Sequence, residues 1–223
     1  IIKEKPDFIL LSGDLTKDGE KTSHQGVIKA LKRLESSGAN LYVVPGNHDI
    51  NNSESFQYIG DNTAPVPTFN DKEFKSLYHE FGYKEAINED SQSLSYVIEP
   101  VKGLWVLALD SCRWEENKPG HPSITDGAFL EKTQKWIESQ LILAKKMKKA
   151  VIVLLHHGIM EHYPANEKYY GGYVIDESES ISKLFAAYGV RLVFTGHFHA
   201  QDVTKKEFEN SDDFIFDIET GSL

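Results

Sequence analysis

Four short apolar runs punctuate the chain, and each stops abruptly at residues that carry chemistry. "DFILLSGD" ends in Gly13-Asp14, "LYVVPGNHD" in Gly46-Asn47-His48-Asp49, "AVIVLLHHG" in His156-His157, and "RLVFTGHFH" in Gly196-His197 and His199. The runs are nearly continuous and rich in β-branched and aromatic residues, a pattern that predicts strands buried on both faces. Between them the apolar period lengthens to that of a helix. Val27, Leu31 and Leu34 share a face within "GEKTSHQGVIKALKRLESSG", which predicts a helix from about Glu20–Ser23 to the stop at Gly38. Phe129, Leu130, Thr133, Trp136, Ile137, Gln140 and Leu141 share a face within "TDGAFLEKTQKWIESQLILAKKMKK", whose closing lysines suit a helix C-terminus. "ESISKLFAAYG" predicts a third helix that ends at Gly189.

Two further runs, "SLSYVIEP" and "GLWVLALDS", predict an antiparallel pair inserted in the middle of the chain. The order is therefore β-α-β, an insertion with strands, then α-β-α-β, an α/β class. In open α/β sheets ligands bind outside the carboxyl ends of the strands. Four separate segments thus aim Asp, Asn and His at one rim. The irregular stretches 50–72, 111–124 and 157–177 each follow a strand end, where loops that touch a substrate belong. No internal repeat, low-complexity tract or linker interrupts this order.

Composition narrows the picture. With 223 residues, 40% of them hydrophobic, the chain suffices for one sizeable core, and a single domain over 1–223 is expected. It opens on Ile1-Ile2-Lys3, as if inside a helix, and closes on "FIFDIETGSL", as if within or just after a strand, so truncation at both ends is expected. No apolar run approaches the roughly 18 residues of a membrane span. The formal net charge of -10 disfavours binding to a nucleic-acid duplex or to an anionic membrane. A phosphate ligand remains compatible, because bound cations reverse the local field. Cys112 is the single cysteine, which excludes an intrachain disulfide and a cysteine-based zinc site. It leaves the compartment open between cytoplasmic and extracytoplasmic. Oligomeric state is likewise open.

Asp, Asn and His together suit Zn, Mn or Fe. A carboxylate such as Asp14 can bridge two cations, and Asn47 adds a ligand oxygen without adding charge. Two cations about 3.5–4 Å apart polarise a phosphoryl group and acidify a shared water, and a protonated His nearby can supply the leaving alcohol's proton. "GDLT", "GNHD", a strand ending in His-His, and "GHFH" resemble, in order and in strand context, the motif set of the calcineurin-like metallophosphoesterases. The resemblance runs from Gly13 to His199, almost the whole chain.

That resemblance implies a four-layer α/β/β/α sandwich with two mixed β-sheets, and a dinuclear centre holding two ions of Mn, Fe or Zn. By position it implies that Asp14 is the bridging carboxylate and that Asn47, His156 and His197 are ligands of the second metal. His199 is implied as a ligand of the first. His48 matches the general acid, and Asp49 the residue that orients the loop or His48. The family's His strand reads His-X-Pro, whereas here it reads His156-His157-Gly158. His156 is then the ligand, with His157 beside it near the substrate. The family's opening Asp-X-His motif lies before the first strand of this chain, and an omitted N-terminus is expected to supply it.

The implied activity is phosphoester hydrolysis through a metal-bridging hydroxide. Protein phosphatases usually carry Asp-Arg-Gly after Gly-Asp, where this chain reads Thr16-Lys17-Asp18-Gly19. The style is closer to the bacterial phosphodiesterase branch, with a small or cyclic nucleotide-type diester as substrate. The alternatives are a phosphomonoesterase or protein phosphatase, and a non-catalytic scaffold on the same fold. Retention of His48 argues against the scaffold, and net charge argues against a nuclease.

Arg113 is a candidate for a phosphate oxygen. Tyr163 and Tyr170, with His162, Tyr169 and Tyr173, follow His156 closely. Their rings could stack on a base or sugar, or pack on one another as an ordered loop. His24, His79 and His121 are expected to have no catalytic role, with His24 and His79 on solvated helix faces.

Overall fold

The computed structural model describes residues 3–221. In chain order the elements are β1 (Phe8–Leu11), α1 (Lys21–Glu35), β2 (Asn40–Val43), β3 (Phe56–Ile59), β4 (Asn62–Pro65), α2 (Asp71–Leu77), β5 (Asn88–Glu89), β6 (Tyr96–Val101), β7 (Leu104–Ala108), α3 (Glu131–Lys146), β8 (Ala150–Leu154), α4 (Asn166–Tyr170), α5 (Ser178–Ala187), β9 (Leu192–Thr195), β10 (Asp202–Glu207) and β11 (Phe214–Glu219). The fold is α/β. No helix precedes β1 among the described residues: Lys3 and Glu4 lie in a turn.

All four apolar runs form the strands expected of them. The run before Asp14 and the run before Asn47 pair in parallel as β1 and β2, a two-stranded sheet. The other two become β8 and β9, neighbours in a seven-stranded sheet of order β10-β11-β9-β8-β7-β6-β5. This sheet is mixed. The pairs β7–β8, β8–β9 and β9–β11 are parallel, whereas β5–β6, β6–β7 and β10–β11 are antiparallel. The middle hairpin, β6–β7, is therefore not an appendage. β7 lies directly against β8 and carries the sheet across to β6.

Alternation along the central strands divides the core in two. Val97, Trp105, Leu107, Val151 and Val153 face α3 and α5, meeting Ile137, Leu141, Ile181 and Phe185. Tyr96, Ile98, Val106, Ala108 and Leu154 face the other way, onto Leu41, Tyr42 and Val43 of β2, Leu31 of α1 and Phe74 of α2. Thr133 and Gln140 are buried on α3 as expected, yet both are polar. Thr133 Oγ1 donates to Asp90 at 2.7 Å, and Gln140 Oε1 accepts from Asn88 Nδ2 at 3.1 Å. Leu130, counted on the same face, caps the helix and is exposed, because α3 starts one residue later.

Stretch 50–72 is more ordered than its composition suggests. It holds the β3–β4 hairpin and leads into α2, whose start is a capping box between Asn70 and Glu73. Among the described residues no helix is long and apolar enough to cross a membrane.

Candidate metal centre

The small sheet and the large one deliver their chemistry to the same place. β1 and β2 pair in register from Phe8↔Asn40 to Leu11↔Val43, so the Gly13-Asp14 and Gly46-Asn47 loops leave at one level. These loops nearly touch. A Cβ on Gly46 would fall 2.1 Å from Asp14 N and Asp14 Oδ1, so only glycine allows the approach. Asp14 itself sits at φ 48°, left-handed backbone that a non-glycine residue adopts at a cost. From the large sheet, the parallel pair β8–β9 places His156 and His197 side by side, with ring centroids 4.7 Å apart.

Ligand atoms of Asp14, His156 and His197 all lie within 4.8 Å of one another. His156 Nε2 is 3.4 Å from Asp14 Oδ2 and 3.1 Å from Asn47 Oδ1. His156 Nδ1 donates to the Ser12 carbonyl at 2.6 Å. In the neutral ring that bond leaves Nε2 as a bare lone pair pointing at two oxygen acceptors. Such a convergence is stabilised by a proton on His156 or by a cation among the acceptors. Burial opposes the charge on His156, but the Asp14 carboxylate outweighs it and raises the imidazole pKa. Burial likewise disfavours ionised Asp14, yet His156 holds its carboxyl below the ordinary range. His197 Nε2 is buried with no hydrogen-bond partner. Burial and the His156 charge push its pKa down to about 3, so the ring is neutral and free to act as a ligand. Asp14, Asn47, His156 and His197 thus have the donor chemistry and the spacing of a cation site.

Asp49 and His48 hold different posts. Asp49 has no exposed surface and accepts four hydrogen bonds, from Gly46 N, Leu15 N, Thr16 N and Thr16 Oγ1, at 2.9–3.0 Å. It clamps the two strand-end loops together, and no bond to His48 is formed. His24 supports it from behind: Nε2 donates to the Asp49 carbonyl at 3.0 Å, and Nδ1 accepts from Tyr78 Oη at 2.8 Å. His24 is therefore fully buried rather than on a solvated face. Burial pushes its pKa down. The His48 backbone N–H donates to Asp14 Oδ1 at 3.2 Å, and its partly exposed ring reaches toward Asp18, Nδ1 to Oδ1 3.9 Å. No sequence signal marked Thr16, Asp18 or His24.

The structure places the five other expected site residues as follows. His199 is exposed, at φ 60°, and is outside the Asp14–His156–His197 cluster. His157 is fully buried with both ring nitrogens satisfied: Nε2 donates to the Thr125 carbonyl at 2.9 Å and Nδ1 accepts from Ser111 Oγ at 2.8 Å. It packs against His197 and cannot reach a substrate. Arg113 is already engaged, pairing with both oxygens of Glu116 at 2.7 and 2.8 Å and facing Asp126 and Asp176. Its guanidinium is not free for a phosphate. Tyr163 and Tyr170 gather on Phe198 of the turn after β9, at 5.5 and 5.8 Å between ring centroids, and within the loop Tyr170 meets Tyr173 at 5.8 Å. Tyr170 remains half exposed.

A family model described as calcineurin-like phosphoesterase matches residues 1–201, and the chain belongs to that family. Among curated relatives, a sphingomyelinase phosphodiesterase D from Dictyostelium discoideum is 24% identical over 225 aligned positions, covering 94% of this chain and 46% of the relative. A probable glycerophosphodiester phosphodiesterase GpdQ from Arcobacter nitrofigilis is 27% identical over 158, covering 70% of this chain and 43% of the relative. The chain thus spans less than half the length of these relatives. Among solved structures, a dimetal phosphatase from Danio rerio superposes with a TM-score of 0.64 at 13% identity, covering 99% of this chain and 74% of that one. A purple acid phosphatase from yellow lupin gives 0.58 at 15%, covering 99% and 38%. Both share the fold.

Proposed function

We propose that residues 1–223 form one catalytic domain of a metal-dependent phosphoester hydrolase, with a small or cyclic nucleotide-type phosphodiester as substrate. The convergence of Asp14, Asn47, His156 and His197 from four strand ends carries this reading, because acceptors so close together are stable around a cation. The two relatives above whose names specify phosphodiesterase activity support the choice of a diester. Two cations from among manganese, iron and zinc suit this donor set, with His199 at the rim serving the one that Asn47 and His197 do not. When bound, they polarise the phosphoryl group and acidify a water.

The chain's own residues supply the rest. Asp14 and Asn47 fix the cation side of the site, held by the Asp49 clamp. His48, at the mouth, gives its proton to the departing alcohol oxygen as the P–O bond breaks, and water supplies the new P–O bond. Elemental analysis of the purified protein, paired with a panel of phosphomonoesters, bis(p-nitrophenyl) phosphate, cyclic nucleotides and phosphopeptides, tests it. Bound metal with turnover of diesters above monoesters is expected. Preference for monoesters or phosphopeptides overturns the substrate class, and metal without any turnover overturns the hydrolase.

A further inference from the structure

His162 stands outside the metal centre, in the loop between β8 and α5, and the chemistry above makes no use of it. Its environment is nevertheless specific. The side chain is only 7% exposed, and carboxylates flank the ring at both nitrogens. Asp202 Oδ2 on β10 lies 2.9 Å from Nδ1, Glu219 Oε2 on β11 lies 3.6 Å from Nδ1, and Asp217 Oδ2 on β11 lies 3.4 Å from Nε2. With acids on opposite sides, the ring itself is the cation of the cluster. The flanking carboxylates raise its pKa to about 9 against the opposing effect of burial. Asp217 is fully buried and adds two further ties, accepting from Ile159 N in the same loop at 2.8 Å and from Thr195 Oγ1 on β9 at 2.6 Å.

What this anchor holds is the loop wrapped around the Gly196-His197-Phe198-His199 turn. That turn is strained. Phe198 N donates back to Gly196 O at 2.8 Å, with His197 at φ 71° in the centre, a rare γ-turn for a residue with a side chain. Strain of this kind persists only where the surroundings enforce it. The His156 and His157 rings pack on His197, at 4.7 and 4.5 Å, and the anchored loop supplies further groups. The Gly172 backbone lies beside the His197 ring. Tyr173 stacks on that ring at 4.4 Å, and Tyr163, Tyr170 and Tyr173 enclose Phe198 at 4.9–5.8 Å.

We propose that His162 is a positioning residue for His197: pinned between Asp202, Glu219 and Asp217, it fixes the loop whose Tyr173 ring, stacked on the His197 imidazole, holds it toward the cation site. This rests on the reading of His197 as a metal ligand. Removing the outer support of a ligand imidazole costs roughly 10–100-fold in metal affinity.

The test is zinc affinity, measured by chelator competition and independent of turnover, in the wild type, His162→Gln, His197→Ala and the double variant. His162→Gln is expected to weaken zinc binding about tenfold, and to cause no further loss once His197 is already Ala. Unchanged affinity in His162→Gln, or the same loss with and without His197, overturns the proposal. Should His162→Gln not fold, Asp202→Asn decides, since that side chain is half exposed. It is expected to weaken zinc about two- to threefold, as an exposed ion pair would, again only while His197 is present. A protein that binds zinc but hydrolyses no phosphoester removes the proposed activity and leaves this result standing. One that binds no zinc overturns this proposal, and the proposed activity falls with it only if manganese and iron are not bound either.

Discussion

His48 and Asp49 are neighbours in the chain with opposite surroundings. Asp49 is sealed beneath four donors, while the His48 ring stands partly open at the site mouth. Their substitutions should separate accordingly. His48→Ala should cut turnover of bis(p-nitrophenyl) phosphate by about 10²–10⁴, the worth of a general acid, with metal content by elemental analysis near that of the wild type. Loss of metal in that variant would sink the assigned role. Asp49→Ala leaves three buried backbone N–H groups and a hydroxyl without an acceptor, each worth roughly 1–3 kcal/mol. It should lower urea-unfolding stability by about 3 kcal/mol or more even with metal chelated. The sequence offered two posts for Asp49, the loop or His48. Only the fold could choose, because its partners at Leu15 and Thr16 lie more than 30 positions away. His24 was misplaced for the same reason. A histidine on an amphipathic helix reads as solvated until Tyr78 and the Asp49 carbonyl are seen to saturate its ring.

At the scale of elements, the contact between the β1 and β2 loops is the tightest constraint on the site. Gly46→Ala would set a methyl group into Asp14, so those loops must part. The variant should stay folded, since Gly46 itself belongs to neither hydrophobic cluster, yet lose at least about tenfold in metal affinity by chelator competition, the scale of displaced support. Undiminished affinity would show that Asp14 is not a ligand. The elements that build the site were legible because each combines an apolar run with a polar end, a pattern few other arrangements produce. The β3–β4 hairpin was not, since "FQYIGDNTAP" lacks apolar alternation and its strands are mostly exposed. α2 was findable from Asn70 and Glu73 at capping-box spacing. The placement of β6–β7 inside the large sheet had no local signal. It follows from β7 pairing with β8 across the forty-odd residues that contain α3.

Across the whole molecule, three buried ionisable groups away from the metal site hold their protons more tightly in the fold. Asp110 is pushed up to about 6 and Glu219 to about 7, burial being the main cause for both, while His162 is raised to about 9 by its carboxylates. In each case the folded state binds its proton more tightly than the unfolded chain does. For Asp110 and Glu219, stability is greatest below their ordinary carboxyl range and falls as pH rises toward 6–7. For His162 it is fully present below the ordinary imidazole value of 6.5 and is lost as pH rises through about 9. Each group adds a slope of at most about 1.4 kcal/mol per pH unit within its own window. Self-repulsion acts with the same sign, because the net charge of -10 grows more negative over that range. Burial holds His24, His157 and His197 below the ordinary imidazole value, which acts in the opposite sense up to about pH 6.5, so with metal chelated the urea midpoint should decline from about pH 7 to pH 9. His162→Gln should flatten that decline. A midpoint that keeps rising above pH 7 would mean that the negative charge gained by the chain does not set the alkaline stability of the fold.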